Sequence, residues 1–315
     1  MGSSNWSSVS YASLQSSRAA AGVSAFNYTD SVLRSQPVEK RRVHPDLDPT
    51  NIKNVRESRD SENHPESLAI VVGLDITGSM QNNPRIVQEK LPNLMDGLIQ
   101  SGFVTDPQIM VAAFGDAYSD RAVLQIGQFE SGIEIDQNLG NLWLEGGGGG
   151  SGEESPELLL WALANKTSID CYEKRNKKGY VFIITDEMAY NNIPKNILSS
   201  VFGTKEVTAT TLTKTLEKVK ERYHVFVIMP GGSSHWNDGQ THTFWRRHVG
   251  PQNFLRVSAI EHITDVITGI IGVMEGVLEP DKIETYVHDL IHEVSDADEL
   301  IDSLNMLATS AALVA

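Results

Sequence analysis

Hydrophobic positions along this chain fall into two textures, one continuous and one periodic. From Leu68 the sequence runs through Ala69, Ile70, Val71, Val72, Gly73 and Leu74 without a polar interruption, as a strand buried on both faces does, and it ends in Asp75. Ile109 to Phe114, Val181 to Thr185, Val225 to Met229 and the shorter Phe254 to Val257 repeat that texture. Val123 to Phe129 follows the second of these runs after a short turn region, as a hairpin partner would. Between the runs the period changes to that of a helix. Leu91, Leu94, Met95, Leu98 and Ile99 form one apolar stripe, with Pro92 required to sit in the first turn or to kink the helix. A helix through Ile260, Ile263, Ile267, Ile270, Ile271 and Met274 closes the pattern near Leu278. Strands alternating with helices predict an α/β fold: a doubly wound, mainly parallel sheet with one antiparallel strand, flanked by helices.

The two ends differ from this middle. Residues 1–67 are rich in Ser, Asn, Asp and Arg and carry no sustained apolar period, which describes a polar extension or a wrapping arm. Within it, Arg56, Glu57, Ser58, Arg59, Asp60 and Ser61 alternate in charge; a solvated linker is the default reading, and docking through ion pairs the sharper one. Beyond Pro280, Ile283, Val287, Leu290 and Ile291, then Leu300, Ile301, Leu304 and Leu307, predict two amphipathic helices that pack on the sheet layer or on a partner. The expected division is an N-terminal extension over 1–67, one α/β domain over 68–279 and a C-terminal helical extension over 280–315.

Composition narrows the function. A length of 315 residues with 40% apolar content suffices for one large core. A net charge of -15 argues against broad contact with nucleic acid or with anionic membranes. Cys171 is the only cysteine, so no intrachain disulfide can form and the chain suits a reducing compartment. The first residues lack the basic start and apolar stretch of a secretory signal, and Trp6 stands where myristoylation favours Ser or Thr. Ile260 to Leu278 comes nearest to a membrane span, but Glu261, His262, Asp265 and Glu275 interrupt it. The expectation is a soluble, cytoplasmic protein.

In a doubly wound sheet, ligands bind where loops leave the carboxyl ends of the strands. The first such loop is Asp75, Ile76, Thr77, Gly78, Ser79, in which every second residue offers an oxygen and Gly78 permits a sharp turn. A hard cation such as Mg2+, or Mn2+, takes this mixture of carboxylate and hydroxyl. Asp186 is the second candidate, a carboxylate directly after a fully apolar strand. Asp116 and Asp120 follow the next strand; turn formation is the default for them, a supporting or regulatory cation site at the same edge of the sheet the alternative. Glu187 reads by default as a helix start.

The Asp75, Thr77, Ser79 loop together with Thr185 and Asp186 resembles the metal site of the von Willebrand factor A domain, with Thr where many members have Ser. The likeness covers about Leu68 to Leu278 in element order. It implies a metal-ion-dependent adhesion site, in which the ion accepts an acidic side chain from a protein partner. Bacterial domains of this kind resemble adaptors working beside AAA-type ATPases, so an ATPase system is the partner it implies. The segments Arg56 to Ser61 and Leu144 to Pro156 further resemble a bacterial and phage branch of that family, a likeness that names no activity. The family's third metal loop normally supplies a Thr, and the matching stretch departs from it: Glu145, five glycines, Ser151, Gly152, Glu153, Glu154, Ser155, Pro156. Ser151 is the candidate for the missing hydroxyl, with Glu153 and Glu154 as alternative carboxylate ligands. Ser155 also reads as the cap of a helix starting at Pro156. A phosphate-binding loop is disfavoured because no Lys follows the glycines and the flanking Glu residues would repel phosphate.

Other polar clusters carry less. His235, Trp236, Asn237, Asp238, His242, Trp245, Arg246, Arg247 and His248 match no tight zinc spacing and read as a partner-contact surface or as packing under a loop. His288 and His292 share a helix face and read as a surface pair. The leading expectation is a cation-dependent protein-binding module without catalysis. A metal-dependent hydrolase using Glu153, Glu154 or Glu187 as base, and an assembly component of a phage or other multiprotein particle, are the alternatives.

Overall fold

The computed structural model describes residues 4–52, 55–290 and 294–312. Six strands form its central sheet: β1 (Ser67–Asp75), β2 (Asp106–Phe114), β3 (Leu124–Glu130), β4 (Gly179–Ile184), β5 (Tyr223–Pro230) and β6 (Phe254–Val257). They lie in the order β6-β5-β4-β1-β2-β3. Only β3 runs antiparallel, paired to β2; the other neighbours are parallel. This is the mainly parallel α/β sheet, flanked by helices, that the alternating textures predict. Every residue of β1, β2 and β4 is buried, because helices cover both faces and leave no side for polar alternation.

Pro92 divides the helical stretch after β1. One helix covers Asn83–Lys90, and a second starts with Pro92 in its first turn and runs to Gln100, where the missing N–H costs nothing. The closing helix begins as a tight turn at Ile260–His262 and continues as Ile263–Met274. Both C-terminal helices form, over Pro280–Leu290 and Val294–Ala312. Ile283, Val287, Leu300, Leu304 and Leu307 are buried against the closing helix and β6, so these helices extend the core. Ile291 and His292 lie outside the described residues.

The polar arm is more structured than its composition suggests. Phe26, Leu33, Leu47 and Ile52 are buried, and the Ile126 N–H of β3 donates to the Leu47 carbonyl at 2.8 Å. Arg56–Ser58 forms a short strand parallel to Thr167–Ile169. The default expectation of a solvated linker there is corrected. Arg59 reaches Asp170 at 2.7 Å, Glu173 at 2.8 Å and Glu57 at 2.9 Å, and Asp60 is held by Arg175 at 2.7 Å. Asp170, Glu173 and Arg175, all more than a hundred residues away, convert an alternating charge run into a docked one. Among the described residues, no helix is long and apolar enough to cross a membrane.

Candidate metal centre

Chain order reverses between β1 and β4: after β1 the chain builds outward through β2 and β3, and after β4 it builds the other way through β5 and β6. Loops leaving these two strands diverge and open a crevice at their carboxyl ends. Leu74 pairs with Ile184, so Asp75 and Thr185 emerge side by side. The Thr185 hydroxyl donates to Asp75 Oδ2 at 2.7 Å. Asp75 Oδ1 accepts the Thr77 N–H at 3.0 Å and the Thr77 hydroxyl at 2.6 Å. Ser79 Oγ stands 3.1 Å from Thr77 Oγ1 and donates to Asp186 Oδ1 at 2.7 Å. It also lies 3.2 Å from Glu187 Oε2. Asp75, Thr77, Ser79 and Asp186 therefore form one continuous chain of oxygens. Two hydroxyl hydrogens cannot satisfy every close pair in it, so the group holds more acceptors than protons.

Three of the other candidates fall on different sides of this chain. Ser151 does not face it: its hydroxyl donates to the Glu153 carbonyl at 3.0 Å and lies 3.2 Å from Tyr190 Oη, at an exposed position. Glu153 and Glu154 form a two-residue strand beside Met188–Ala189, and the strand's alternation sends their side chains to opposite faces. Glu153 stays partly exposed while Glu154 is buried. Glu154 is the member that meets the group: its carboxyl lies against Glu187 and near Asp75 and Asp116, and its Oε2 is buried without a hydrogen-bond partner. Burial first, then the Asp75 and Glu187 carboxylates, hold its proton far above the usual carboxylate range.

Glu187 is not a helix start. The chain after it forms the Met188–Ala189 strand, and its carbonyl accepts the Trp245 indole N–H at 2.9 Å, which leaves the carboxylate in the crevice. Asp116 and Asp120 keep their turn role. Asp116 accepts the Tyr118 N–H at 3.0 Å and the Ser119 hydroxyl at 2.8 Å, while Asp120 accepts the Asp116 N–H at 2.8 Å. Asp120 also takes the Gly148 N–H at 2.7 Å and so ties down the glycine loop. That loop lies on the first oxygen loop, with the Gly78 N–H donating to the Gly147 carbonyl at 2.7 Å. A Cβ at Gly147 would strike the Asp120 carboxylate, and one at Gly149 would strike Asp116, so the glycines are there for close approach. Ser155 does not cap its own helix; its hydroxyl accepts the Ala117 N–H at 3.0 Å.

One contributor lay hidden in a segment that read as a contact surface. The loop after β5 brings His235 to Asp186 and Glu187, and ligand atoms of all three lie within 4.8 Å of one another. Its spacing from Asp186 along the chain gave no signal, because the contact depends on how the β5 loop folds back over the β4 loop.

The electrostatics of the crevice are one-sided. Asp75, Asp116, Glu154, Asp186 and Glu187 are all buried, and among the described residues no Lys or Arg pairs with any of them. Burial raises the Asp75 carboxyl to about 7, with the Thr77 and Thr185 hydrogen bonds opposing it and the Asp186 charge adding to it. A carboxylate set of this kind is stable only when protonated or when a cation replaces the missing partners. The donors fit a hard divalent cation in both chemistry and number: two carboxylates, two hydroxyls, and the orphaned Glu154 Oε2 nearby.

No family model matches the chain, and no curated protein matches it. Among solved structures it is similar to proximal thread matrix protein 1 from the mussel byssus, at 14% identity over 71% of this chain and 50% of that one, with a TM-score of 0.45. It is also similar to the pilus adhesin SpaC from Lactobacillus rhamnosus GG, at 11% identity over 68% of this chain and 31% of that one, with a TM-score of 0.47. The chain spans half or less of the length of either protein. Likenesses at this level carry no inference about chemistry.

Proposed function

We propose that this chain is a von Willebrand factor A-like binding module that holds Mg2+ or Mn2+ through Asp75, Thr77, Ser79 and Asp186 and presents the ion to an acidic side chain of a protein partner. One observation carries the reading: five buried carboxylates converge at the switch point without a single Lys or Arg partner among the described residues. When bound, the ion supplies positive charge and an open coordination position. The chain's own residues do the rest. Asp75 and Asp186 supply the charge, and Thr77 and Ser79 turn lone pairs inward. Thr185 fixes Asp75 through its other oxygen, and the glycine loop, anchored by Asp120, covers one side. Glu187 deepens the negative field, and Glu154, which holds its proton in the metal-free protein, adds charge only when the ion displaces that proton. A partner of the AAA-type ATPase class belongs to the same proposal, as the likeness of the Asp75 and Asp186 loops implies.

Calorimetric titration of the chelator-stripped full chain with MgCl2 tests it. The wild type is expected to bind saturably and Asp75→Asn to show no binding. Equal affinities in the two proteins would move the ion elsewhere and end the reading. Mg2+-dependent capture of Glu-bearing peptides, reversed by EDTA, tests the partner half.

A further inference from the structure

Asp186 faces two ways. Its Oδ1 takes the Ser79 hydroxyl at 2.7 Å, whereas its Oδ2 takes the His235 backbone N–H at 3.0 Å and lies 3.3 Å from the His235 ring Nδ1. Glu187 is divided in the same way, with Oε2 at 3.2 Å from Ser79 and Oε1 at 3.7 Å from His235 Nδ1. The backbone that carries the imidazole is anchored at its neighbour: the Ser234 N–H donates to the Ser79 carbonyl at 2.9 Å, and Gln81 Nε2 donates to Ser234 Oγ at 3.1 Å. Loops from three strands thus bring one nitrogen and two carboxylates around a common point.

Two features show that hydrogen bonding alone does not account for this arrangement. His235 Nδ1 is buried and has no hydrogen-bond partner in spite of the two carboxylates beside it. Glu154, itself buried, lies against Glu187 and keeps its Oε2 without a hydrogen-bond partner. Four ligand atoms around a tetrahedral ion with bonds of about 2.1 Å stand roughly 3.4 Å apart, close to the two His235 separations. Imidazole nitrogen is a poor ligand for Mg2+ and a good one for first-row transition ions.

We propose that Asp186, Glu187 and His235 form a second cation site, selective for a transition ion such as Zn2+ or Co2+, beside the oxygen-only site. The imidazole binds through Nδ1 and carries its proton on Nε2. Two carboxylates balance the dication, and the fourth position stays open. Asp186 is common to both sites, each of its oxygens serving one of them. Apart from that shared residue, the second site does not rest on the Mg2+ reading.

Co2+ is the probe, because its visible absorption reports coordination number and imidazole ligation. The full chain, stripped of metal, is titrated with CoCl2 and separately with MgCl2, alongside His235→Ala, His235→Gln and Asp75→Asn. The His235 side chain is 36% exposed on a loop, so both substitutions leave the core intact, which circular dichroism verifies. The expected result is four-coordinate Co2+ absorption in the wild type, with Co2+ affinity weakened roughly tenfold or more in both His235 variants. Mg2+ binding should persist in those variants, and Co2+ binding should persist in Asp75→Asn. Equal Co2+ affinities and spectra in the wild type and both His235 variants overturn the proposal. So does loss of Co2+ binding in Asp75→Asn alone. A wild type that ignores Mg2+ but binds Co2+ through His235 retires the magnesium reading and keeps this one.

Discussion

The two ends of the central sheet each gather carboxylates, and the chain treats them in opposite ways. At the amino end of β1, Asp60 and Asp170 are met by Arg59, Lys174 and Arg175 at 2.7 to 3.2 Å. Burial pushes the Asp60 carboxyl up, but hydrogen bonds from Arg175, Ser67 and Lys174 outweigh it and hold it at about 2. At the carboxyl end, Asp75 has only hydroxyls and one backbone N–H for company, burial prevails, and its carboxyl rises to about 7. Asp75 is fully buried and Asp60 only partly, so depth and counter-charge together separate the two ends. Where the chain supplies the counter-charge, the cluster fastens an arm to the domain; where it withholds it, the cluster stays unpaired and, on the proposed reading, recruits a cation.

The largest expected effect separates the two ends by pH in metal-free protein. Asp75 is raised when folded, so its favourable contribution is complete below about pH 4 and is lost as pH climbs through about 7. Asp60 is lowered when folded, so its contribution is present above about pH 4 and is lost only as pH falls towards about 2. With EDTA present, Asp75→Asn should match the wild type near pH 4 and exceed it by roughly 4 kcal/mol at pH 8. Urea midpoints at both pH values measure this. A constant difference between the two proteins would mean that Asp75 does not titrate in that window, and the contrast would collapse.

Next in size is the amino end. Arg175→Ala removes the 2.7 Å pair to Asp60, which keeps only the longer Lys174 contact on that oxygen, and the 2.6 Å bond to the Ser67 carbonyl. A loss of about 3 kcal/mol is expected, independent of Mg2+. If Mg2+ rescued this variant, the amino cluster would have to be counted as a cation site as well.

How much of this the sequence displayed depends on how far each contact travels. The β1 and β4 strands, with Asp75 and Asp186 at their ends, were legible because an unbroken apolar run and its terminal carboxylate are adjacent residues. Thr77 and Ser79 were legible for the same reason. The choice among Ser151, Glu153 and Glu154 was not, because it turns on the parity of a two-residue strand whose partner, Met188–Ala189, has no pattern of its own. Glu187 was misread as a helix start for want of that same strand. His235 and Arg59 depend on partners 49 and 111 residues away, which local spacing does not encode.

Mg2+ itself should act on the carboxyl end alone. At a hundredfold excess over its dissociation constant it should stabilise the wild type by about 2.7 kcal/mol at pH 8, and the Arg175→Ala variant by as much. Asp75→Asn should gain nothing. Protons and metal compete for the same oxygens, so the gain should shrink as pH falls below about 7. Thermal unfolding with and without MgCl2 provides the measurement, and a shift that survives Asp75→Asn would sever the link between the unpaired carboxylates and the ion.

The smallest effects decide which part of the glycine loop belongs to the centre. Ser151 is exposed and engaged with the Glu153 carbonyl and Tyr190, so Ser151→Ala should change stability by no more than about 0.5 kcal/mol and leave Mg2+ affinity within about twofold. Glu154→Gln makes a different cut at nearly constant volume. It removes a buried carboxyl whose proton is held by burial, Asp75 and Glu187, so the metal-free protein should become no less stable. Mg2+ affinity should fall by a factor of a few, because the amide cannot give up a proton and gain charge when the ion binds. The ranking of the two variants in a calorimetric titration is the sensitive quantity. Should Ser151→Ala weaken Mg2+ more than Glu154→Gln does, the loop must rearrange on binding to turn Ser151 inward. The hydroxyl would then take the place that the family resemblance assigns to it, and Glu154 would be left as a neutral acid packed beneath.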